Sequence, residues 1–104
     1  MMYKLVFLPI AQQDMISIVR YIGINLQNPV AASKLADKMI EEAKKLVDMP
    51  YKCALYIPVK PLKHDYRKLI VGNYIMFYWT DEDKKLVNIA RVIYGKRNYD
   101  SLLK

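Results

Sequence analysis

The segment YRKLIVGNYIMFYWTDEDKKLVNIARVIY, residues 66–94, limits the fold more than any other part of this chain. Three runs rich in β-branched and aromatic residues, Tyr66–Val71, Tyr74–Thr80 and Lys85–Tyr94, are separated only by Gly72-Asn73 and by the polar stretch Asp81–Lys84. Connections this short force antiparallel neighbours, so the segment predicts three strands joined by two turns.

Upstream the hydrophobic period changes from two to that of a helix. Tyr3–Leu8 has strand character and ends at Pro9, which cannot donate to a ladder. From Gln12 onward, Met15, Ile18, Val19 and Ile22 recur on one helical face, with Gly23 near the expected end. Asn28-Pro29 is a start signal: the asparagine side chain can cap free N–H groups, and proline suits the first helical position. A second helix follows, its apolar stripe Ala32, Leu35, Ala36, Met39, Ile40, Ala43, Leu46 and Val47 facing away from Lys34, Asp37, Lys38 and Glu41, and Pro50 stops it. The loop Tyr51–Asp65 holds Pro58 and Pro61 and at most one short extended piece. The expected architecture is α+β, β-α-α-β-β-β: one domain over residues 1–104, an antiparallel sheet packed by a helical hairpin.

Both faces of that sheet are greasy. On the middle late strand Tyr74, Met76 and Tyr78 oppose Ile75, Phe77 and Trp79; strict alternation on the last strand puts Leu86, Ala90, Val92 and Tyr94 opposite Val87, Ile89 and Ile93. Two helices cover one side only. The other must be closed by the long loop and C-terminus, or by another chain.

The charge sits late in the sequence. Residues 1–50 carry six Lys/Arg against five Asp/Glu, and residues 51–104 carry eleven against five, within a net charge of +7. Clustered cations suggest a polyanion or an acidic protein surface as partner. Cys53 is the single cysteine and His64 the single histidine, so no internal disulfide and no Cys/His metal set is expected, nor a cofactor. A reducing, cytoplasmic compartment fits this cysteine usage. The apolar run Leu5–Ala11 is too short for a membrane span. Ser17, Ser33 and Ser101 have only His64 as a base, which excludes a convincing triad, and Gly72-Asn73 opens no helix that would cradle a phosphate.

What remains is a basic set: Arg67 and Lys68 on neighbouring, oppositely facing strand positions, Arg91 on the last strand, and Lys96, Arg97 and Tyr99 beyond it, with Tyr94 at the strand exit. Arg91 interrupts an apolar face and therefore needs a partner, for which Asp65, Asp100 or a ligand are candidates. Metal-free cleavage of RNA by its own 2′-hydroxyl would suit such a set, because arginines neutralise the phosphorane and tyrosines stack on bases.

The element order, with DMISIVRYIGINLQNPVAA early, YRKLIVGNYIMFYWTDE in the middle and VNIARVIYGKRNYDSLL late, resembles the RelE/ParE superfamily of toxins from bacterial type II toxin-antitoxin modules. The resemblance implies growth inhibition relieved by a cognate antitoxin, and a homodimer or toxin-antitoxin hetero-oligomer. RelE-like members cut messenger RNA on the ribosome; ParE-like members inhibit DNA gyrase. In the RNA-cutting case Lys68, Arg91 and Arg97 would be catalytic, Lys68 matching a strand lysine and Arg97 the arginine of the GKR segment. Arg67, Tyr94, Lys96 and Tyr99 would contact RNA or another target. Ile75 and Leu103 stand where RNA-cutting members carry an arginine and a tyrosine, which favours the ParE-like alternative. A basic nucleic-acid-binding module without toxicity is the reading outside the toxin class.

Overall fold

The computed structural model describes residues 3–58, 60–97, 99 and 101–103. Its elements run β1 (Lys4–Phe7), α1 (Pro9–Arg20), a π-helical turn (Tyr21–Asn25), α2 (Pro29–Lys45), β2 (Arg67–Val71), β3 (Tyr74–Asp81) and β4 (Leu86–Tyr94). The sheet order is β1-β4-β3-β2. The β2–β3 and β3–β4 pairs are antiparallel, as their short turns require. β1 corrects the expectation of a wholly antiparallel sheet, because it lies parallel to β4 with Lys4 opposite Leu86 and Phe7 opposite Ile89. The long path through both helices makes that arrangement accessible.

The helices begin for local reasons. Pro9 does not merely end β1; it occupies the first helical position of α1 after an extended Leu8, three residues ahead of the Gln12 start read from periodicity. Asn28 caps α2, its Oδ1 accepting from the Ala31 N–H at 3.1 Å. Gly23 does not end the first helix. The chain continues as the π-turn to Asn25, and Gln27, at φ 52°, reverses it. A Cβ at Gly23 would lie 3.7 Å from that of Ala32, an ordinary packing distance, so the π-turn lies against the start of α2 with room for a larger residue there.

The hairpin packs Ala11, Met39, Ala43 and Leu46 onto Leu69, Val71, Met76, Tyr78, Val87, Ile89 and Val92. Each large apolar side chain buried there contributes about 1.5–3 kcal/mol. The Tyr78 hydroxyl reaches through this layer and donates to the Pro50 carbonyl at 2.8 Å.

The other face is closed by the chain itself. Tyr56 and Tyr66 from the loop, and Leu103 from the tail, bury against Ile75, Phe77, Ala90 and Ile93, with Leu62, Tyr99 and Leu102 packed alongside. The loop supplies the short extended piece expected of it: Leu55 bridges Arg67, and Tyr56 N–H donates to Tyr66 at 2.8 Å. Strict alternation fails on β4. Pairing jumps from Phe77–Arg91 to Tyr78–Ile89, which leaves Ala90 as an extra, bulged residue. Ile89 therefore faces the helices, whereas Ala90 and Ile93 face the loop and tail.

Candidate functional site

Because β1 is short, β4 beyond Ile89 has no strand on its outer side, and helix α1 runs along that edge instead. Asp14 of α1 fills the gap. Its Oδ2 accepts from the Val92 N–H at 2.9 Å and from Arg91 Nε at 2.7 Å, and its Oδ1 accepts from Arg91 Nη2 at 3.0 Å. Arg91 Nη1 donates in addition to the Leu102 carbonyl at 3.1 Å, so one guanidinium joins helix, sheet and tail. This bidentate pairing raises the already high pKa of Arg91 further. Asp65, one candidate partner for Arg91, is not the one used, and Asp100 lies outside the described residues.

Beyond this ion pair an open groove of about 1090 Å³ runs between the helical hairpin and the ends of β3 and β4. Ile18, Tyr21, Leu26 and Leu35 line its helical wall, Tyr74 and Tyr94 its sheet wall, and Arg97 its mouth. The two sheet-wall rings meet edge to face with centroids 5.7 Å apart. Burial pushes the Tyr74 hydroxyl pKa up, so it is a neutral donor near pH 7. Tyr21, Leu26 and Tyr94 are exposed, as are Lys96 and Arg97 in the turn that follows β4. An apolar trough with Arg97 at its mouth suits a flexible chain that carries apolar anchors and acidic residues.

The other basic residues lie elsewhere. Lys68 pairs with Phe77, which pairs with Arg91, so the three form one row across the sheet's second face, with Lys68 and Arg91 Cα atoms about 10 Å apart at ordinary strand spacing. Arg67 points to the opposite face and donates to the Cys53 carbonyl at 2.7 Å. Tyr99, expected to contact RNA or another target, is half-buried and packs against Tyr56 and Phe77 with centroids at 5.5 and 5.1 Å, because the tail folds back over the sheet. Ile75 and Leu103 are 8% and 2% exposed, both within that second core layer. The basic set is therefore scattered: Arg91, Tyr94 and Arg97 line the groove, while Lys68, Arg67, Lys96 and Tyr99 are not among its lining residues. Asp14, Tyr21 and Leu26 were missed, and no pattern marks a lone helical acid as the partner of a strand arginine 77 positions away.

This four-stranded mixed sheet, backed by a helical hairpin that leaves a groove beside β4, defines a small α+β fold shared with known toxins. A solved chromosomal ParDE toxin-antitoxin system from P. aeruginosa superposes with a TM-score of 0.72 at 18% identity, covering 91% of this chain and 98% of that one. A mutant of E. coli toxin RelE in its free state gives 0.66 at 16% identity over 99% and 94% of the two chains. The RelBE2 toxin-antitoxin complex of Mycobacterium tuberculosis gives 0.62 at 19% identity over 90% and 99%. No curated protein matches significantly in sequence. The family profile of the ParE toxin of the type II toxin-antitoxin system parDE matches residues 5–99. The chain belongs to that family, within the RelE/ParE superfamily of type II toxins.

Proposed function

We propose that this chain is a growth-inhibiting toxin that acts as a ParE-like ligand of DNA gyrase or a related topoisomerase, and that a cognate antitoxin silences it. The observation that carries the reading is the burial of Ile75 and Leu103. At those two positions the RNA-cutting branch places an arginine and a tyrosine, and here both are core residues with no chemistry to offer a phosphate. Arg91 supports the same reading. Three of its five N–H donors, including Nε, are held by Asp14 and Leu102, and the Asp14 carboxylate already balances its charge, whereas a transition-state cation must keep charge and donors for the phosphorane. Tyr94 and Arg97, which line the groove, and the exposed Lys96 between them in the chain are the residues assigned to target contact, and the groove itself to an acidic, partly disordered antitoxin segment that folds on binding.

The experiment is a paired assay on the purified chain. Inhibition of gyrase supercoiling, with no new cuts in messenger RNA on translating ribosomes, is the expected result. Cuts on ribosomes with gyrase unaffected would assign the chain to the endoribonucleases, with Lys68 and Arg97 the groups to replace first. Normal growth of cells expressing the free protein would remove both readings.

A further inference from the structure

Outside β2 a short extended piece, residues 54–57, forms the outer edge of the sheet. Lys68 N–H donates to the Ala54 carbonyl at 3.0 Å and Tyr56 N–H to the Tyr66 carbonyl at 2.8 Å, with Leu55 opposite Arg67 between them. That pattern turns the backbone groups of Ala54 and Tyr56 toward β2 and those of Leu55 away from it. Ile57 continues in the same sense. The following Pro58 biases it to the extended region, and alternation turns its N–H and C=O outward with those of Leu55. Neither residue's backbone groups have a hydrogen-bond partner among the described residues.

The side chains at this edge are as unprotected as the backbone. Ile57 is 75% exposed, more than any other large apolar residue described, and Leu55 is 42% exposed. As the cross-strand neighbour of Arg67, Leu55 shares its face of the sheet, and alternation puts Ile57 on the same face. Sheet edges are ordinarily blunted by a charge, a bulge or a covering segment. Residues 53–57, Cys-Ala-Leu-Tyr-Ile, carry no charge, and only Pro58 limits the length of the edge.

We propose that residues 54–57 pair antiparallel with the same residues of a second copy of this chain, about a two-fold axis at Tyr56. In that register Leu55 faces Ile57 of the second copy, and Ile57 faces Leu55 of the second copy. Each of these pairs exchanges two N–H···O bonds, so the outward groups of both chains are satisfied, and each sets two exposed apolar side chains next to one another. A slip by one residue would set outward groups against inward ones. The segment has no charge with which to select an acidic or basic partner, but it matches itself in both hydrogen bonding and apolar pairing, as a two-fold contact requires. Two chains of net charge +7, with Lys52 and Lys60 exposed beside the segment, repel one another, so the dimer tightens as salt rises. An acidic partner in the groove would respond to salt in the opposite direction. The inference is independent of which cellular target the groove engages.

Sedimentation equilibrium of the full-length chain, over a range of protein and salt concentrations, reads the association. A short edge contact belongs to the weak class of interfaces, so a monomer–dimer equilibrium in the micromolar range or above is expected. Ile57→Lys alters an exposed side chain and is expected to weaken the dimer about tenfold or more. Leu55→Pro removes one outward N–H and leaves the bonds of Ala54 and Tyr56 to β2 in place; it is expected to weaken the dimer about fivefold or more. Melting curves confirm that both variants fold. Register is read by disulfide trapping in a Cys53→Ala background. The two facing residues have Cα atoms about 5.5 Å apart, within disulfide reach, so oxidising a mixture of Leu55→Cys and Ile57→Cys chains is expected to give a covalent dimer that neither variant gives alone. A chain that stays monomeric at every concentration and salt would overturn the proposal. So would a dimer that both substitutions leave unchanged, or one that the mixed cysteine chains do not trap.

Discussion

Asp14 and Arg91 form a bidentate ion pair in which both side chains are only 16% exposed, and the same carboxylate closes the open edge of β4 at Val92. Removing either partner strands a charge that water reaches poorly, which costs about 3 kcal/mol or more. Asp14→Ala also strips the Val92 N–H of its acceptor. Urea unfolding is expected to show Asp14→Ala and Arg91→Ala each destabilised on that scale. The double variant should lose clearly less than the sum, because the two act as one unit. Additive losses would mean that the pair contributes nothing of its own.

The tail makes the second prediction. Leu103 is one of the largest fully buried side chains, and it covers a face that would otherwise expose Phe77, Ile75 and Ile93. Leu103→Ala is expected to cost about 2–4 kcal/mol, the range of a buried leucine cavity. Binding of a hydrophobic dye should rise in the folded state as the tail loosens. An unchanged melting temperature and no added dye binding would show that the tail does not seal the sheet.

The parts of this fold that were legible in the sequence are those written in neighbouring residues. Asn28-Pro29 declares a helix start, and Gly72-Asn73 between two aromatic runs declares a hairpin, because cap and turn depend on a few consecutive backbone angles. The parts that were not legible depend on partners far along the chain. Ile89, Arg91 and Ile93 alternate as an unbroken strand would, and only the pairing with Phe77 and Tyr78 reveals that Ala90 is bulged. Arg91 announced its need for a partner, but not that the partner would be Asp14. The two greasy sheet faces were legible as a pattern, while their closure by Tyr56, Tyr66 and Leu103 depended on where an aperiodic loop and tail would settle. At the candidate site, Arg97 and Tyr94 could be picked from a basic, aromatic run, whereas Tyr21 and Leu26 became visible only once the π-turn had placed them across the groove.

Lys96 and Arg97 sit exposed in the turn after β4, where Arg97 lines the groove, so charge reversal there should leave stability within about 0.5 kcal/mol of the parent. Target engagement is another matter. If these cations steer an acidic partner, the Lys96→Glu, Arg97→Glu double variant is expected to lose at least about tenfold in association rate at low salt, and the parent's own rate should fall as salt rises. Stopped-flow measurements with the target, or with an acidic peptide that occupies the groove, would show it. A salt-independent rate that is equal in the two proteins would take this edge out of the mechanism.

Glu82, in the β3–β4 turn, accepts hydrogen bonds from the Tyr3 and Tyr51 hydroxyls and pairs with Lys85 at 2.7 Å. It thereby ties the start of β1 and the segment after α2 to the far end of the sheet. Lys85 first, then the two tyrosines, hold its carboxyl at about 2, below the ordinary 4.5, while Glu82 in turn pushes Tyr51 up to about 12. A carboxylate whose folded pKa is depressed contributes stability that is complete above 4.5 and is lost as pH falls from there toward 2. The site is exposed, so salt screens the charge pair and the effect is modest. Thermal melts should therefore decline over that acid window, and Glu82→Gln should decline less steeply while melting lower than the parent near neutral pH. Parallel curves for the two proteins would show that the tyrosine and lysine contacts do not stabilise the charged carboxylate.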